Sequence, residues 1–195
     1  MRRLLIALAL LILVGQSQAR PTGIDSVGDN GCVCHGGSDD TTTVSFVGLP
    51  EVYNASQVYQ ITLSIDSPVE ENEPKGGFRL IISQGTISGE AQFLDDGYTH
   101  NTSTNNQREW DLLWTAPAED DKLATFVIHG NAVNGDGETT GDEWNSLSLA
   151  VPGPNYTGDV VALEIKDDKS SNLQFVVGAI GITALVTLAY LAIKD

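Results

Sequence analysis

Two thiols and an imidazole stand within one short stretch near the start of the chain, Gly31-Cys32-Val33-Cys34-His35-Gly36, and the sequence holds only those two cysteines. Four chemistries compete for such a stretch. In covalent haem attachment, thiolates add to the porphyrin vinyl groups and the histidine that follows becomes an axial ligand of the iron. That arrangement ordinarily has two residues between the cysteines. Here Val33 stands alone between them, which strains a double attachment and leaves a single thioether or an altered loop. In a bare metal site, Cys32, Cys34 and His35 would be three ligands and a remote histidine the fourth. A Cys32–Cys34 disulfide would close a small, strained and therefore redox-labile ring. The plainest reading is a pair of free thiols, a state that oxidation outside the cell disfavours. A staple between distant strands is excluded, because no cysteine lies elsewhere.

An iron held by His35 could take a second axial ligand. Met1 is the sole methionine, and it leaves with an N-terminal signal. His100, in the loop Asp96 to Asn101, and His129, at the end of the strand pattern Ile128-His129-Gly130, are the remaining histidines. For each, a surface histidine without a ligand role is the plain alternative. Bis-histidine ligation would close the iron and suit electron transfer over oxygen activation. The expected cofactor-binding set is therefore Cys32, Cys34, His35, His100 and His129. His35 and His100 come first as metal ligands, and haem c is the candidate cofactor. Asn134, Asp136, Glu138 and Asp142 gather oxygens on a Gly-rich loop that could take calcium, but their spacing is not that of an EF-hand and a hairpin turn is the simpler reading. No Gly-x-Ser-x-Gly and no phosphate-binding loop ahead of a helix occurs, so an enzyme is not expected.

The ends of the chain say where these groups work. Arg2 and Arg3, the apolar run Leu4 to Val14 and the small residues Ser17 and Ala19 read as a signal peptide over residues 1–19, cut before Arg20. Residues 175–193, Phe175 to Ile193, are apolar on every side and carry no charge. As a helix they cover roughly 28 Å, close to the hydrocarbon thickness. The expectation is a single-pass protein of the cell membrane, anchored by a C-terminal transmembrane helix, with its domain on the extracytoplasmic side. Formal net charge is −16; loss of Arg2 and Arg3 leaves 8 basic and 26 acidic residues, or −18. Such a surface repels nucleic acid, so the expected partners are the membrane and a redox protein at the cell surface. Three sequons, Asn54-Ala-Ser, Asn101-Thr-Ser and Asn155-Tyr-Thr, fit an exported glycoprotein.

Residues 20–43 form a Gly- and Asp-rich lead. Period-two alternation follows. It is clearest in Tyr59, Ile61, Leu63 and Ile65, and returns in Phe78-Leu80-Ile82, Trp110-Leu112-Trp114, Ala124-Phe126-Ile128 and Leu147-Leu149-Val151. Such short strands between turn-rich segments predict an all-β antiparallel sandwich over 44–152. Trp110 and Trp114 share one strand face and are expected in the core. Residues 153–174 read as a tether, with Val160 to Ile165 as a last edge-strand candidate.

Taken together, Cys32 to Gly37, Gly77-Phe78, Tyr98-Thr99-His100, Trp110-Asp111-Leu112-Leu113-Trp114-Thr115-Ala116-Pro117 and Phe126 to Gly137 resemble the Reeler-like domains, in particular the microbial branch called choice-of-anchor V. The resemblance covers roughly residues 30–152. It implies an exported Ig-like sandwich with a haem-like cysteine motif at its start and a membrane or surface anchor at its end. The motif cysteines and histidine fall on Cys32, Cys34 and His35, and the loop histidine ahead of the tryptophan strand falls on His100. The shortened cysteine spacing is the departure. Reeler domains occur both in matrix proteins and beside membrane cytochromes. An electron-transfer module and a cofactor-free binding or adhesion module, with the cysteine motif as a disulfide or metal clip, therefore both follow from the resemblance.

Overall fold

The computed structural model describes residues 20–35, 37–165, 180, 181, 183 and 187, without the side chain of Val33. The predicted signal peptide lies outside the described residues. So does the predicted span 175–193, apart from Ile180, Gly181, Thr183 and Thr187, which are helical. Among the described residues no helix is long and apolar enough to cross a membrane. The unit Gln18–Asp167 carries the fold.

Among the described residues nine strands form two antiparallel sheets. The first has the order β1 (Thr43–Val47), β2 (Val58–Asp66), β7 (Glu109–Thr115), β4 (Thr86–Gly89). The second has the order β5 (Gln92–Leu94), β6 (Gly97–Thr99), β3 (Gly76–Ile82), β8 (Leu123–Ala132), β9 (Glu143–Pro152). Alternation in sequence becomes alternation between faces. Phe46, Ile61, Leu63, Trp110, Leu112 and Trp114 point inward from the first sheet to meet Phe78, Leu80, Phe126 and Ile128 from the second. Trp114 stacks on Tyr59 at 5.5 Å between ring centroids and meets Phe126 edge-on at 5.0 Å. Both strand tryptophans are thus core residues, as expected.

Three elements differ from the sequence reading. Gly97–Thr99 is a strand, so His100 follows a ladder and does not sit within a free loop. The β8 strand runs on to Ala132, which puts His129 inside it and opposite both Arg79 and Ser146. Val160 to Ile165 forms no strand and its valines are exposed.

The sheets also differ in what covers their outer faces. The outer face of the first carries the exposed Val47, Val58 and Leu113. On the second, the cross-strand row Gln92, Thr99, Arg79, His129, Ser146 lies beneath the N-terminal lead. This explains the run of five buried residues in β3, which strict one-sided alternation does not produce.

Candidate functional site

The lead is fastened to the second sheet by polar groups. Arg79 is fully buried, and an unpaired buried cation is costly. Its Nε donates to Asp29 Oδ1 at 2.7 Å, Nη1 donates to the Leu94 carbonyl at 2.6 Å and the Ile24 carbonyl at 3.3 Å, and Nη2 donates to the Asp95 carbonyl at 2.7 Å. Four of the five N–H donors are thereby satisfied. On the lead itself, a 3-10 turn over Ser26–Gly28 is capped by Asp25, whose side chain accepts from the Val27 N–H.

His129 lies beside this pair. Its Nε2 donates to the Asp29 carbonyl at 3.0 Å, which leaves Nδ1 to accept from the Ser146 hydroxyl at 2.6 Å. His100 is held in the same way. Its Nδ1 accepts from the Phe78 N–H at 3.1 Å and its Nε2 donates to the Arg20 carbonyl at 3.2 Å. Gly77 makes room for that ring, because a Cβ there would run into it. Burial lowers the pKa of both imidazoles below the ordinary histidine value. At His100 the Phe78 and Arg20 carbonyls, which can accept from the protonated ring, oppose the shift; at His129 the Asp29 carbonyl and, to a smaller extent, the Asp29 charge oppose it. Every ring nitrogen of the two remote histidines is thus engaged by a protein group.

The Cys32–His35 segment is differently disposed. Val33–His35 forms a 3-10 turn, and the His35 N–H donates to the Cys32 carbonyl at 2.8 Å. Gly31, at φ +107°, turns the chain beneath Trp144, where a side chain would strike the indole. The turn buries Cys32 and exposes Cys34; both are free thiols. Desolvation, with a smaller push from Cys34, raises the Cys32 thiol pKa to about 12. The His35 Nδ1 lies 2.7 Å from Asp142 Oδ2, and the Asp142 side chain is 1% exposed. The other Asp142 oxygen accepts from the Asn134 N–H at 2.9 Å. A carboxylate pinned at both oxygens fixes the ring plane and requires the proton on His35 Nδ1. The His35 Nε2, with no hydrogen-bond partner among the described residues, is then left with its lone pair.

Asp142 therefore orients His35 from within the hairpin turn that the sequence reading favoured over a calcium loop. Its neighbours on the β8–β9 hairpin are occupied too: Asn134 Oδ1 accepts from the Asp136 N–H at 3.1 Å, and Asp136 Oδ1 from the Glu138 N–H at 2.8 Å. These are turn-forming bonds. Among the described residues no group of three His, Cys, Asp or Glu side chains is arranged to hold a metal ion. Sequence reasoning missed Arg79, Asp29 and Ser146 altogether. A charged residue inside the otherwise apolar strand Phe78-Arg79-Leu80 was the one signal that could have found the covered face.

No family model matches the chain. No curated protein sequence matches it either. Among solved structures, the human F-spondin reeler domain is similar at 17% identity and a TM-score of 0.39, over 59% of this chain and 91% of that one. A conjugate transposon protein from Bacteroides vulgatus is similar at 13% identity and a TM-score of 0.41, over 63% and 92%. A conjugative transposon lipoprotein from Bacteroides eggerthii is similar at 13% identity and a TM-score of 0.36, over 56% and 97%. Likenesses of this degree assign neither a family nor an activity to the chain.

Proposed function

We propose that the chain is an exported, membrane-anchored redox module, with a Reeler-like sandwich of the choice-of-anchor V kind, that carries a c-type haem at the Cys32–His35 turn. The observation that carries this reading is the 2.7 Å contact between His35 Nδ1 and the buried Asp142 carboxylate. Metal-ligating histidines commonly donate their second ring nitrogen to a carboxylate, which fixes the tautomer and raises the basicity of the ligating nitrogen. The residues fit such a group in part. His35 Nε2 would be available to hold the iron and the exposed Cys34 thiol to form one thioether, whereas buried Cys32 does not present its sulfur.

Haem bound there would supply reversible one-electron chemistry. The protein's contribution is positional. Asp142 holds the imidazole, the 3-10 turn holds Cys34 beside it, and Trp144 packs over the glycine that starts the turn. His100 and His129, the candidates for a second iron ligand, anchor the lead over the second sheet through both ring nitrogens. The acidic surface and the segment 175–193 suit a domain tethered outside the cytoplasm, exchanging electrons with a surface partner and not with nucleic acid. The Thr187 hydroxyl donates to the Thr183 carbonyl at 2.8 Å, an internal pairing that suits a helix in apolar surroundings.

A second reading is a binding or adhesion module without a cofactor, in which the cysteine turn only fastens the lead. The burial of Cys32 favours it. Co-expression with haem-maturation machinery separates the two. The first reading expects a coloured chain, loss of colour in Cys34→Ser, retention in Cys32→Ser, and an altered spectrum in Asp142→Asn. A colourless chain in every case supports the second.

A further inference from the structure

We infer that Asn101 is the glycan acceptor among the three sequons, and that the folded loop selects it. The Asn101 carboxamide is arranged unlike the other two. Its Oδ1 accepts from both the Ser103 N–H at 2.8 Å and the Ser103 hydroxyl at 2.6 Å. No described residue takes a hydrogen from its Nδ2. By contrast, Asn54 Nδ2 donates to Gln57 Oε1 at 2.8 Å, and Asn155 Nδ2 donates to the Asp120 carboxylate at 2.9 Å. Among the described residues, neither Ser56 nor Thr157 gives its hydroxyl to the asparagine two positions earlier.

The difference matters for the chemistry of the nitrogen. An amide nitrogen is a poor nucleophile because its lone pair is delocalised onto oxygen. Two hydrogen bonds to Oδ1 make the Nδ2 hydrogens more acidic, and loss of one proton makes the nitrogen nucleophilic. In the transfer, Nδ2 bonds to the anomeric carbon of a lipid-linked glycosyl phosphate or pyrophosphate. The bond from that carbon to the phosphate oxygen breaks, the phosphate leaves with the electron pair, and the Nδ2 proton passes to a base of the transferring enzyme. No electrons enter or leave. At Asn54 and Asn155 one of the two Nδ2 hydrogens is already held by a side-chain oxygen, and neither Oδ1 is polarised by its sequon hydroxyl.

The loop is also pinned from beneath. Buried Trp110 donates its indole N–H to the Thr104 carbonyl at 2.6 Å, and the Asn101 N–H donates to Thr104 Oγ1 at 3.0 Å. Thr102 and Ser103 are exposed above this base. Asn101 itself is half-buried, whereas Asn54 and Asn155 are exposed, so the selection rests on the hydrogen-bond pattern of its carboxamide and not on exposure.

The inference rests on the export reading only for its occurrence in the cell, and export is scored separately by removal of residues 1–19. The test uses the purified folded chain, a single-subunit oligosaccharyltransferase and a lipid-linked oligosaccharide, with occupancy read by peptide mass spectrometry. Three short peptides bearing the sequons serve as the unfolded reference. The expected result is a glycan mainly at Asn101 in the folded chain, without that order among the peptides. Equal or greater occupancy at Asn54 or Asn155 in the folded chain, or modified peptides beside an unmodified folded chain, overturns the inference.

Discussion

Asp29 holds Arg79 and His129 with two different oxygens: its side-chain Oδ1 accepts from the Arg79 Nε at 2.7 Å and its backbone carbonyl accepts from the His129 Nε2 at 3.0 Å. One residue of the lead therefore satisfies a buried cation and a buried imidazole on adjacent strands. Asp29→Ala should leave Arg79 without its carboxylate while the backbone contact to His129 stays. Breaking a fully buried pair costs about 3–5 kcal/mol. The Asp29 side chain is 40% exposed, so water can partly replace it, and a loss of roughly 1–3 kcal/mol is expected. Denaturant melts give the loss, and faster hydrogen exchange confined to residues 22–31 places it. Unchanged exchange there would show that the pair does not hold the lead.

Acid should loosen the same face. His100 and His129 both titrate below the ordinary 6.5, chiefly because burial disfavours the charged ring. The unfolded chain binds more protons than the folded one once pH drops below that value. Stability from these residues is therefore complete above about 6.5 and declines as pH falls from there through the folded-state values. The carboxylates Asp25, Asp39 and Asp95 have lowered values and add their own loss only in stronger acid, below about 3.8. Melting curves against pH should show two separate limbs. The His100→Gln, His129→Gln double variant should flatten the upper limb alone, and an unaltered upper limb would contradict the assignment.

Gly77→Ala is expected to destabilise the chain by about 1–3 kcal/mol, the usual penalty for overpacking. The added methyl meets the His100 ring, which is itself held by Phe78 and Arg20. Pairing with His100→Ala should remove most of the penalty if the clash is the cause. Additive losses would point to the strand backbone instead.

The two thiols should differ sharply in reactivity when the chain is made without haem machinery. Cys34 is exposed; Cys32 is buried and its thiolate disfavoured by desolvation. Alkylating reagent should label Cys34 in the native chain and Cys32 only after denaturant. Equal native labelling would mean that the turn opens readily.

Much of this architecture is legible in the sequence, because the core strands alternate cleanly. Tyr59 to Asp66 and Trp110 to Thr115 expose one face and bury the other, and period-two patterning reports that directly. The short strands β4, β5 and β6 carry too few apolar residues to register. The covered face was illegible for a different reason. Its polar row draws partners from a lead some 50 to 100 positions away, as in the Asp29–Arg79 and Asp29–His129 contacts, and periodicity carries no information about such pairing. The Cys-Val-Cys-His stretch announced itself by residue type, yet the role of Asp142 depends on hairpin geometry that brings it 107 positions back to His35.

The mass of the exported, denatured chain after co-expression with haem-maturation machinery tests the account most directly. A covalent haem adduct that survives denaturation, maps to a peptide containing Cys34 and persists in Cys32→Ser is the expected result. A chain whose mass is that of the processed polypeptide alone, with Cys34 still open to alkylation, would contradict it.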